Sequence, residues 1–149
     1  MKPLFIYFLT FLVSCTAYAP KTQISGPGKK CFNYEPENVQ LKGQLYKKTF
    51  PGPPNYMDVK KGDEEEVYWL LKTTVPFCVN ENERIWGEKQ TNLSDVQLII
   101  GSETGFYKTK RSLLNKKVIV TGRTLIPQIT GHHKTEVLID VHSLDEVKE

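Results

Sequence analysis

The sequence predicts a mainly β domain, a small five-stranded OB-like Greek-key barrel with one helix between its third and fourth strands. Three observations carry this. Five segments alternate apolar with polar residues or are rich in β-branched and aromatic ones. A single segment, 105–117, has helical spacing. Glycines stand inside the first and fourth strands, at Gly43 and Gly122, where a tightly curved sheet must bend. An open β-sandwich is the rival arrangement.

Taken in order, residues 39–45 alternate apolar and polar, with Gly43 at an inward position that predicts a bulge or sharp coil. Residues 48–56 hold three prolines and a glycine, which forbid regular structure and stiffen the loop. Gly62-Asp63 is a second turn, and 66–75 is a strand. Residues 80–95 are polar and loop-like, and 96–100 form a short buried strand. In 105–117, Phe106, Leu113 and Leu114 are spaced by seven and eight residues, with Asn115 as the stop. Strands follow at 117–125 and 135–142. Between them, the loop 126–134 carries Pro127, Gly131, His132 and His133.

Ahead of this domain, Lys2 precedes an apolar run over 4–13, followed by Ser14 and Cys15. The run is too short to span a bilayer stably, so 1–14 reads as a signal peptide. Leu12-Val-Ser-Cys15 fits the lipobox of bacterial lipoprotein precursors, in which the cysteine is lipidated and becomes the N-terminus. The alternatives are ordinary signal-peptidase cleavage after Ala17 or Ala19, the latter disfavoured by Pro20, and an uncleaved anchor. Residues 15–30 read as a flexible tether with a mean reach of about 20 Å, and 31–149 as the domain. The expected location is the bacterial periplasm or cell envelope, with the membrane engaged through lipid at Cys15.

Cys31 and Cys78 are the cysteines left to the domain. In an oxidising compartment two such residues most simply pair, and the sequence offers no C-x-x-C or Cys/His cluster for the rival metal or redox reading. The chain has 149 residues and a formal charge of +3, which fits one small domain and is too weakly basic for nucleic acid to be an expected partner. The acidic run 63–66 reads as a solvated turn.

Phe50-Pro-Gly-Pro-Pro-Asn-Tyr56, Gly62-Asp63, Pro76-Phe-Cys-Val79, Val120-Thr-Gly122 and Thr130-Gly-His-His133 together resemble an uncharacterised family of small exported bacterial domains. That family is known only as a domain of unknown function. The resemblance runs from about Cys31 to Val141, and its more specific parts are the proline loop and the Thr-Gly-His-His loop. It implies export and a compact, mostly β fold, and no reaction. Cys31 and Cys78 match the family's cysteine positions, which supports their pairing.

Three places could carry function. His132 and His133 could ligate a metal, although sequence neighbours project differently and lack a third ligand. The alternative is an imidazole hydrogen-bonded in a surface loop, and no cofactor is expected. The stiff loop with Pro53, Asn55 and Tyr56 makes a recognition edge or a cover over the core. Tyr68 and Trp69 point to opposite faces of a strand, so one is core, and Trp69 is the candidate for stacking a ligand. With no G-x-S-x-G, no H-E-x-x-H and no free cysteine nucleophile, an enzyme is not expected. The expectation is a non-catalytic exported binding module for a cell-envelope protein or glycan, including an inhibitor or immunity role. A small metal-binding protein or enzyme using His132 and His133, and a structural envelope lipoprotein, are the alternatives.

Overall fold

The computed structural model describes residues 22–24, 31–101, 105–125 and 130–148. The expected signal peptide, Cys15 and most of the expected tether lie outside these residues, as do 126–129 of the last loop. The described residues form six strands: β1 (Thr22–Ile24), β2 (Asn38–Pro51), β3 (Glu65–Val79), β4 (Gln90–Ile99), β5 (Lys117–Leu125) and β6 (Leu138–Glu146). Neighbours run β1-β2-β3-β4-β6-β5, and β5 pairs back onto β2. The last five strands therefore form a closed sheet with the strand order of the OB arrangement, all antiparallel except the short parallel β4–β6 pair.

Closure depends on β2. Its first half, Asn38 to Gln44, pairs with β5, and its second half, Gly43 to Pro51, pairs with β3. The two halves meet at Gly43, where a Cβ would collide with the Lys72 carbonyl on β3. At the corresponding bend in β5, the register shifts between Thr121 and Gly122, and a Cβ on Gly122 would collide with the Asp140 carbonyl. Inside the closed sheet, Val39, Leu41 and Leu45 meet Leu71, Val96, Leu98, Val118, Val120, Ile139 and Leu144 in one apolar core. Cys31 and Cys78 are bonded, with Cα atoms 4.4 Å apart. Beside the bond Phe32 bridges Val79, and Phe32 N–H donates to the Cys78 carbonyl at 2.8 Å.

Several boundaries differ from expectation. The helix shrinks to α1 (Phe106–Thr109), followed by a 3₁₀ turn at Arg111–Leu113. Gly105 supplies no side-chain cap, and Lys108, Lys110 and Arg111 stand together without acidic partners in the segment, so nothing propagates a helix beyond its first turn. Leu113 still reaches the core, and Asn115 ends the turn at φ 66°. The polar stretch expected as loop over 80–95 is instead strand from Gln90 onward. Its side chains are polar because half of β4 faces solvent. Within the expected tether, Thr22–Ile24 pair in parallel with Asn38–Gln40.

Candidate functional site

The two loops singled out by the sequence meet at the start of β3. Asp63, 6% exposed, organises the first. Its Oδ1 accepts from Asn55 N–H (2.9 Å) and Nδ2 (3.1 Å), and its Oδ2 accepts from Met57 N–H (2.7 Å) and Asp58 N–H (2.8 Å). These bonds, first those from the Asp58 and Met57 amides, hold its carboxyl below the usual carboxylate range. Tyr56 results at φ 59°, with its N–H donating to the Gly52 carbonyl at 2.9 Å. The acidic run is therefore a loop-organising feature at Asp63 and a site feature at Glu66, not merely a solvated turn.

Gln97 on β4 holds the second loop. Only 1% exposed, it donates from Nε2 to the His132 carbonyl (3.1 Å) and accepts at Oε1 from Lys134 N–H (2.7 Å). Gln97 N–H also donates to Thr135 Oγ1 at 3.0 Å. Val96 and Leu98 point into the core, so Gln97 lies on the outer face, beside Leu70 of β3, and the loop crosses that face.

His132 sits where the loops converge. Its Nδ1 lies 2.6 Å from Glu66 Oε1 and 3.3 Å from the Tyr68 hydroxyl, and its Nε2 lies 3.2 Å from the Tyr56 hydroxyl. A carboxylate only accepts, so Nδ1 carries the hydrogen, and in the neutral imidazole Nε2 accepts from Tyr56. Tyr68 donates to Glu66 Oε2 at 3.0 Å, and burial, then that bond, raises its pKa, so its hydroxyl keeps its proton. Lys134 ties the loops together. Its Nζ donates to the carbonyls of Pro51 (3.1 Å) and Gly131, lies 3.7 Å from Glu66 Oε2, and stands over the rings of Tyr56 (5.1 Å) and Phe50 (5.7 Å). Gly131 packs on Tyr56 so closely that a Cβ would come within 2.5 Å of the phenol ring.

Of the expected residues, Tyr56 and His132 are in direct contact. Pro53 and Asn55 lie in the same loop, with Asn55 turned to Asp63. Trp69 is a correction: it is 5% exposed, packed in the core and edge-on to Tyr107 at 5.2 Å, while Tyr68, on the other face, reaches the site. His133 lines an open groove of about 520 Å³ with Asn92 to Asp95, which His132 does not line. Among the described residues no three His, Cys, Asp or Glu side chains are placed to share a metal ion. Sequence reasoning missed Glu66 and Gln97, placed Lys134 only as the end of its loop, and weighed Tyr68 beside Trp69 but chose Trp69. The available signal for Glu66 was the same alternation, which puts 66 and 68 on one face of β3, opposite Phe50 and Lys48 in register.

Residues 95–145 match the family model described as Domain of unknown function (DUF4431). The resemblance read from the sequence is to an uncharacterised family, and this match is to one. The DUF4431 segment runs from the middle of β4 into β6 and holds Gln97, His132, His133 and Lys134. Tyr56, Glu66 and Tyr68, which complete the site, precede it. No curated protein matches the chain.

Proposed function

We propose that this chain is an exported, non-catalytic binding module whose recognition edge is the rim made by residues 50–56 and 130–134. Its ligand is a cell-envelope protein or glycan, and the sharper version is an inhibitor or immunity protein acting on an envelope enzyme. The leader 1–14 sends it to the bacterial periplasm or envelope, and lipid on Cys15 holds it at the membrane.

The observation that carries this reading is His132. Its side chain is 52% exposed, yet its imidazole is fixed by Glu66, Tyr56 and Tyr68 and its backbone by Gln97. A polar group locked in one orientation and open to solvent loses little entropy when a partner arrives. Half-buried Phe50, Tyr56 and Tyr68 surround it with rigid aromatic contact area. In OB folds, the loop between the first two strands and the loop between the last two flank the ligand face, and these are the two loops that meet here. That support is an analogy of fold.

Photo-crosslinking in intact cells from a reactive side chain at exposed Thr130 tests the reading. One dominant adduct is expected, reduced about tenfold or more by Tyr56→Ala or His132→Ala, the loss of one good hot-spot contact. If every adduct forms as well in both variants as in the wild type, the rim is not the recognition edge.

A further inference from the structure

The most exposed large apolar side chain among the described residues is Trp86, at 90%. It is not a loose loop residue. Asn82 and Gly87 close the turn beneath it with reciprocal bonds, Asn82 N–H to the Gly87 carbonyl at 2.7 Å and Gly87 N–H to the Asn82 carbonyl at 3.0 Å. The Asn82 side chain caps Arg84 N–H at 3.2 Å. Ile85 packs against the core, and Trp86 follows at φ 54°, a left-handed conformation unfavourable for a bulky residue. The turn thus presents one indole outward on a pinned backbone, while the other tryptophan, Trp69, is core.

The turn also lies at the end of the fold where the chain enters. The Tyr34 hydroxyl donates to the Glu88 carbonyl at 2.8 Å, and Cys31 is bonded to Cys78 just ahead of the turn. Thr22, the first residue docked on the sheet, pairs with Asn38, the first residue of β2. Six residues, Thr16 to Lys21, separate Cys15 from Thr22. Fully extended, that interval spans at most about 25 Å. A lipid on Cys15 would therefore hold this end of the domain close to the membrane, and β1 leaves far less slack than a tether free to Cys31.

We propose that the Asn82–Gly87 turn seats on the lipid surface, with Trp86 at headgroup level. Indoles favour that zone because the ring is apolar and its N–H still finds a partner there. Charges around the indole are mixed, Glu81, Glu83 and Glu88 against Arg84 and Lys89, so the contact depends on the indole and not on anionic lipid. The proposal rests on the lipidated reading of Cys15.

The test uses the mature protein with its own N-terminus, reconstituted in vesicles of phosphatidylethanolamine with a minor share of phosphatidylglycerol. Flotation reports the tether, and quenching of tryptophan emission by brominated acyl chains reports the seat. The wild type is expected to float and to be quenched several-fold more than Trp86→Phe, in which only core Trp69 emits. Raising the salt concentration is expected to leave the quenching unchanged. Flotation with equal quenching of wild type and variant would overturn the seat and leave the tether standing. Failure to float would overturn the tether and the seat together.

Discussion

Asp63 and Gln97 are the residues on which the rim depends, although neither faces a ligand. The Asp63 carboxyl is held below the usual range by amide donors, so its folded pKa lies under its unfolded one. Its contribution is therefore present above the unfolded value and lost as pH falls through the depressed folded value. In an NMR titration, the Met57 and Asp58 amide signals are expected to hold while exposed carboxylates protonate and to move only at lower pH. Asp63→Asn is expected to abolish that late step. Gln97→Leu strands the His132 carbonyl and the Lys134 N–H, and is expected to cost about 1–3 kcal/mol in urea unfolding and to speed exchange of the Lys134 amide. At this scale the sequence was legible for Tyr56 and His132, because turn formers and a paired imidazole stand out locally. It was not legible for Glu66, which looks like any acid in a charged run until the fold places His132 2.6 Å away.

Among the elements, β2 shows most clearly how local pattern becomes architecture. Gly43 was readable as a bend because it interrupts the inward apolar series Val39, Leu41, Leu45. The bend lets one strand serve both halves of the closed sheet. Gly43→Ala would push a methyl into the Lys72 carbonyl, and a destabilisation of about 1–3 kcal/mol is expected from chemical denaturation, with the slope unchanged. Helix α1 was misread for the opposite reason. Its apolar spacing fits a long helix, but spacing carries no information about caps or like-charge crowding, and both work against extension here. The first half of β4 was missed because a strand with a solvated face reads as loop when its apolar partners lie on other strands.

For the whole molecule, the disulfide and the closed sheet act on the same chain at different ranges. The bond spans a sequence separation of 47, for which loop-closure entropy gives about 4 kcal/mol as an upper figure. Cys78→Ala is expected to lower the unfolding free energy of the full chain by about 2–4 kcal/mol, and reductant is expected to shift the wild-type urea midpoint and leave the variant's in place. The bond was legible from cysteine arithmetic and the compartment the leader led us to expect. The meeting of two loops at His132 was not, since Tyr56 and His132 are 76 residues apart and only the complete strand order brings them together.

The seam between β2 and β5 also fixes an order of assembly. A chain made from its N-terminus presents Cys31 and Cys78 well before Lys117 to Leu125 exist to pair with the first half of β2. The hairpin of β2 and β3 can form early, because its contacts are the more local ones, and the Cys31–Cys78 bond needs an oxidising compartment. The seam, and with it the second loop of the rim, must wait for the end of the chain. A binding edge built this way is absent from every partly made copy.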